Sequence, residues 1–152
     1  MRHLFFKNKI KKTKIMIYEV SVAYKKMNEN GLEVSVKEVF LVQAISFAEA
    51  EQKAMAFGGQ LTMSNFDITA IKESAVMDVI CNSNGVGFFK VSFNFITLDL
   101  NGREKKTKKF VYIESNTLDE AKQLFADSYK NSMTDYEVVG IQETKITEYI
   151  TD

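Results

Sequence analysis

The sequence predicts an α+β fold: tandem, pseudo-symmetric β-β-α-β repeats forming a largely antiparallel sheet with two helices on one face. Three observations carry this. The chain matches itself when slid by 71 residues, an Asn-Gly step follows an alternating segment in each copy, and a hydroxyl-x-x-Glu motif precedes an amphipathic run in each copy.

The self-match places residues 18–50 over 89–121 without a gap, with eight of 33 positions identical. These are Val20/Val91, Ser21/Ser92, Asn30/Asn101, Gly31/Gly102, Glu33/Glu104, Lys37/Lys108, Glu49/Glu120 and Ala50/Ala121. After a one-residue deletion the match resumes, with 62–80 over 132–150. Internal repeats of this kind set the architecture before any single element is read.

The first strand of each copy alternates. Tyr18, Val20, Val22 and Tyr24 share a face, as do Phe89, Val91, Phe93 and Phe95, while Lys90, Ser92 and Asn94 point the other way. That period-two pattern is the signature of a half-buried strand. Asn30-Gly31 and Asn101-Gly102 tolerate the positive φ angles of a type I′ turn and predict hairpins. The return strands end in 39–44 and 110–115.

A helix follows each hairpin. Ser46-x-x-Glu49 and Thr117-x-x-Glu120 are capping boxes, in which the hydroxyl accepts from the third amide and the glutamate reaches back. Phe47, Ala50, Ala54 and Phe57 form one apolar face; Leu118, Ala121, Leu124 and Phe125 form its counterpart. Gly58-Gly59 is expected to stop the first helix and Asn131 the second. The closing segments 66–80 and 136–150 are long for single strands, which predicts a bend or bulge near Ala70/Gly140 or Ser74/Thr144. The sheet should hold about six to eight strands.

The expected organisation is a flexible basic extension over 1–15, then one domain over 16–152. Its repeats at 18–80 and 89–150 are joined by a linker at 81–88, which has loop composition. Met16 opens directly onto the first patterned strand, which predicts it as the native start.

Composition narrows function. The hydrophobic content of 45% and charged content of 26% fit a folded chain. No apolar run approaches the ~20 residues that cross a bilayer. A single cysteine, Cys81, excludes an internal disulfide, so the expected location is the cytoplasm. The only histidine, His3, lies in the extension, so triads and histidine-based zinc sites lack their base or ligand. The zero net charge hides an asymmetry. Residues 1–15 carry six basic and no acidic groups, leaving fourteen basic against twenty acidic groups over 16–152, a net −6.

The Tyr-x-Val-x-Val-x-Tyr opening, the hairpin, the stretch 95–99 (FITLD) and the stretch 132–138 (SMTDYEV) resemble a family of short uncharacterised proteins. That family is a domain of unknown function from Bacteroidota and their phages or mobile elements. The resemblance covers roughly residues 16–150 and implies one cytoplasmic fold unit; the family carries no assigned activity, so it adds no active site.

The most conspicuous candidate site is the second hairpin. Lys90, Arg103, Lys105, Lys106, Lys108 and Lys109 form a cationic β-finger for phosphates, with Phe95, Phe110 or Tyr112 available to stack on bases. The competing reading is a solvated edge protected by lysines. Leu32–Glu38, the equivalent in copy one, is not basic. Glu49/Glu120 and Glu73/Glu143 pair formally, but capping accounts for the first two and strand surface for the others. The 62–66 and 132–136 segments read as Asx or ST turns, with Met63 and Met133 plugging the helix–sheet gap. Cys81 reads as an inert, partly buried thiol.

The expectation is therefore a non-enzymatic binding module with no catalytic residues, cofactor or metal. Single-stranded nucleic acid is the favoured partner. The alternative is a protein-interaction or assembly module, with a homodimer among its forms and no membrane partner.

Overall fold

The computed structural model describes residues 14–61, 65–83 and 85–152. The predictions for 1–13 and for Met63 lie outside the described residues. In chain order the elements are β1 (Met16–Met27), β2 (Glu33–Ala44), α1 (Phe47–Leu61), β3 (Phe66–Glu73), β4 (Asp78–Ile80), β5 (Gly87–Leu98), β6 (Glu104–Ser115), α2 (Leu118–Tyr129), β7 (Asp135–Glu143) and β8 (Ile146–Ile150).

The class is α+β, as predicted, and each copy opens with an antiparallel hairpin: Val20 faces Phe40, and Val91 faces Val111. The turn type differs from expectation. Within these two turns only the glycines take positive φ, 75° at Gly31 and 76° at Gly102. The amides of Gly31 and Gly102 donate to the carbonyls of Asn28 and Asp99. This is a three-residue loop closed by a left-handed glycine rather than a type I′ turn. Asn28 Oδ1 accepts from the amides of Asn30 and Leu32, and Asp99 Oδ1 from those of Asn101 and Arg103. The side chain ahead of the Asn-Gly step thus holds the loop in this form.

The long closing segments divide where a bend was expected. β3 bulges at Thr69, since Ser21 pairs with Ala70 and Val22 with Ile68. β7 bulges at Val139, between the pairs Ser92/Gly140 and Phe93/Val138. Each segment then breaks, at 74–77 and at 144–145, and its last strand leaves for the other copy's sheet.

That exchange corrects the single sheet with both helices on one face. There are two four-stranded sheets, ordered β3-β1-β2-β8 and β4-β6-β5-β7. β8 runs parallel to β2, and β4 parallel to β6. Reversing the second order and exchanging β4 with β8 maps one sheet onto the other. α1 packs on the first sheet with Tyr18, Val20, Val22, Phe40 and Val42. α2 packs on the second with Phe89, Val91, Phe93, Val111 and Ile113.

The opposite faces meet in a third core of Leu41, Phe88, Tyr112 and Ile146, flanked by Ile17, Val39 and Phe110. The layers therefore run helix, sheet, sheet, helix. The physical reason is visible in 39–42 (VFLV) and 110–113 (FVYI), where residues of both parities are apolar. A strand apolar on both faces needs cover on both.

The caps form as predicted: Ser46 Oγ and Thr117 Oγ1 each accept from the third amide at 3.1 Å. The glutamates are committed elsewhere, Glu49 to Lys53 at 3.0 Å and Glu120 to the Asn82 amide at 2.7 Å. α1 runs through Gly58-Gly59 instead of stopping there. Gly58 is buried against the Phe66 ring, which occupies the space of a Cβ, so this glycine serves close packing. α2 ends at Tyr129 with Lys130 still right-handed, and Asn131 has no positive φ. Met133 does not plug a gap: it is fully exposed. Ser132 Oγ donates to the Thr134 carbonyl and accepts from its amide, an ST turn that turns Met133 outward. Tyr129 and Tyr136 fill the space, with ring centroids 4.7 and 5.6 Å from Phe125.

Candidate nucleic-acid interface

Strand alternation sorts the six basic residues of the second hairpin. Phe93, Phe95, Val111 and Ile113 face α2, so Lys105 and Lys109, in register with Thr97 and Phe93, stand on that same face. Lys90, Lys106 and Lys108 take the other face, together with Phe110, and Arg103 belongs to the turn. The cluster is thus split between two surfaces. Of the three aromatics, Phe95 packs 5.2 Å from Phe93 and Tyr112 is buried. Phe95 and Phe110 are both half-buried, and Phe110 is the one that shares a face with Lys90, Lys106 and Lys108.

On this face β5 and β6 floor an open groove of about 530 Å³, bordered by Ala75 of the 74–77 crossover and by Val139 of the β7 bulge. Met77 N donates to the Phe110 carbonyl at 2.9 Å, fixing the crossover as a rim. Lys90, Ser92, Asn94, Lys108 and Phe110 of this face line it, with Phe93 and Lys109 of the opposite parity at its border, and no carboxylate does. Lys90 Nζ lies 4.4 Å from the centroid of the Phe110 ring, within cation–π range.

Among the described residues no carboxylate pairs with Lys90, Lys105, Lys108, Lys109 or Arg103. Lys106 is different. It bonds to Glu137 at 2.8 Å, which raises its pKa. Glu137 also accepts from Asn94 at 3.1 Å, so this cation is already compensated. Charge alone in the sequence finds the lysines. Ser92, Asn94 and the crossover rim were missed; the first two are legible only as the outward partners of Phe93 in the alternation.

The matching surface on the first sheet carries Glu19 where Lys90 stands and Val39 where Phe110 stands. Next to it Glu19, Lys72, Lys90, Glu143 and Lys145 line a second hollow of mixed charge, about 420 Å³ in volume. The pairing of a lysine with an aromatic ring on this face is thus found in the second repeat and not at the matching positions of the first.

The paired glutamates are not brought together. Glu49 and Glu120 lie on helices in opposite outer layers, and Glu73 and Glu143 end edge strands of different sheets. Cys81 is exposed rather than partly buried, because β4 ends at Ile80, on the edge of its sheet. Local desolvation, then the carboxylates of Glu114 and Asp78, push its thiol pKa up, which disfavours the nucleophilic thiolate. Among the described residues no group of three or more His, Cys, Asp or Glu side chains is arranged to hold a metal ion. No helix there is long and apolar enough to cross a membrane.

No curated protein matches the sequence. A family model does, over residues 8–152, nearly the whole chain and beginning ahead of Met16. The chain belongs to the family described as a domain of unknown function, DUF4494.

Proposed function

We propose that this protein is a non-enzymatic cytoplasmic module that associates with single-stranded nucleic acid through the β5–β6 face of its second repeat. The observation that supports this reading is the groove in which Lys90 and Lys108 flank Phe110 with no carboxylate in the lining. Lysines set beside an aromatic ring answer the two features of an unpaired strand, its phosphates and the π-faces of its bases. A duplex hides those base faces. Lys90 occupies the place over Phe110 where a base would stack. Binding then requires the lysine to swing aside toward a phosphate, exchanging one ring contact for another. The net −6 of residues 16–152 opposes long-range attraction, but screening confines that field to roughly 8–10 Å in physiological salt.

The test is fluorescence anisotropy of labelled single-stranded and duplex oligonucleotides, titrated with 1–152 and 16–152 at several salt concentrations. Saturable single-strand binding by 16–152 that weakens with salt is expected. Lys90→Ala and Lys108→Ala should each flatten the salt slope by about one. Phe110→Ala should cost about 1–3 kcal/mol. Binding by 1–152 alone would move the activity to the basic extension. Binding by neither would leave the protein-interaction reading in its place.

A further inference from the structure

The exposed edge of the first sheet has a property that the corresponding edge of the second lacks. β3 ends its sheet and, among the described residues, pairs with β1 alone. Between this edge and α1 lies a groove of about 320 Å³ lined by Phe47, Glu51, Met55, Ile68, Ala70 and Ile71 around Thr69. Phe47 and Met55 expose 53% and 48% of their surfaces there.

Residues 67–72 read Asp-Ile-Thr-Ala-Ile-Lys. About the Thr69/Ala70 centre this segment is complementary to itself: Asp67 opposes Lys72, and Ile68 opposes Ile71. In a regular strand that register fails, since residues five apart point to opposite faces. The bulge at Thr69 removes the conflict. Ile68 and Ile71 pair with Val22 and Val20, on the helix side, while Asp67 and Lys72 pair with Ala23 and Glu19, on the other. Each opposed pair therefore lies on one face, as a two-fold axis through the bulge requires.

We propose that β3 pairs antiparallel with β3 of a second copy of this chain, making an isologous dimer whose two first sheets become one eight-stranded sheet. Self-complementarity favours a second copy over an unrelated protein, because a two-fold interface presents the same patch twice. Strands about 4.8 Å apart set the two β1 strands roughly 14 Å apart. The α1 helices above them are then somewhat wider apart than the 8–10 Å of close-packed helices, a gap that Phe47 and Met55 from both copies fill. Two Asp67–Lys72 pairs form, one on each side of the axis. The Lys72 side chain is 72% exposed and its contact with Glu19 Oε2 is long, 3.8 Å, so it is accessible for this. β7, the matching edge of the second sheet, carries Glu137 and Gln142 at the equivalent positions and has no such complementarity.

The experiment is sedimentation equilibrium on residues 1–152 up to about 0.5 mM, a range that detects dissociation constants near 1 mM or tighter. A reversible monomer–dimer equilibrium is expected. Asp67→Lys and Lys72→Asp should each weaken it at least about tenfold, since like charges then stand opposite twice. The double variant should return to within about threefold of wild type. Met55→Glu, which alters neither strand, should also dissociate the dimer, and circular dichroism of every variant checks its fold. A chain that stays monomeric throughout overturns the proposal. So does a dimer indifferent to both single reversals and to Met55→Glu, and a weakened dimer not restored by the charge swap overturns the register.

Discussion

Lys106 Nζ stands 2.8 Å from Glu137 Oε1, and the bond spans β5 to join β6 to the edge strand β7. A sequence reading counts Lys106 among the phosphate-binding cations. In the fold it is answered by an acid 31 positions further along the chain. Glu137→Gln releases it. The variant is expected to bind single-stranded oligonucleotide a few-fold more tightly and to steepen the salt slope by about one. Anisotropy titrations across salt check this, and an unchanged slope would show that Lys106 lies outside the binding surface.

The same bond sets a pH dependence. The hydrogen bond from Lys106, then that from Asn94, holds the Glu137 carboxyl below its ordinary value. A group whose folded pKa is depressed stabilises the fold fully above its unfolded pKa and loses that contribution as pH falls through the folded one. Wild type should therefore melt above Glu137→Gln near neutral pH, and the two melting temperatures should converge in acid as pH falls below the ordinary glutamate value and through the depressed folded one. Thermal melts across pH read this directly; a difference that persists in acid would assign it to something other than the carboxylate charge.

Adjacent glycines in α1 predict opposite signs. A Cβ on Gly58 would overlap the Phe66 ring, whereas one on Gly59 meets nothing within 4 Å. Gly58→Ala should destabilise by about 1–3 kcal/mol, the usual range for overpacking. Gly59→Ala, exposed within the helix, should stabilise by about 0.5–1 kcal/mol. Urea denaturation of the two variants measures both. Destabilisation by Gly59→Ala would mean that the helix does not extend through this pair.

Local signals in the sequence survived folding, and non-local ones were the losses. Ser46 and Thr117 cap helices, and Asn-Gly closes hairpins, because each contact involves residues three or four apart. The turn type was misread because it depends on Asn28 and Asp99, two positions ahead of the dipeptide considered. The strand exchange was not legible: β4 is three residues long and pairs with a strand more than thirty positions away. The second sheet was legible in principle, since Leu41 and Tyr112 break the alternation with apolar residues on the supposedly solvated face. At the candidate site, composition located the lysines. Pairing register then decided which of them share a surface with Phe110, and the crossover rim depends on the exchange itself.

That exchange makes the repeats mutually dependent. Ile150, the last residue of β8, comes from the second repeat yet packs in the α1 core of the first, 7% exposed among Val20, Phe40 and Ala54. Ile146, at the other end of β8, is 5% exposed in the core between the sheets. Ile150→Ala should cost about 2–5 kcal/mol, the range for truncating a buried isoleucine. Hydrogen exchange should locate the loss in β2 amides as much as in β8, because β2 pairs with β8. A chain of two independent repeats would instead loosen only in its second half, leaving β2 protection unchanged. In the exchanged fold, a single-probe urea transition should remain cooperative and shift as a whole, since neither sheet is complete without a strand from the other repeat.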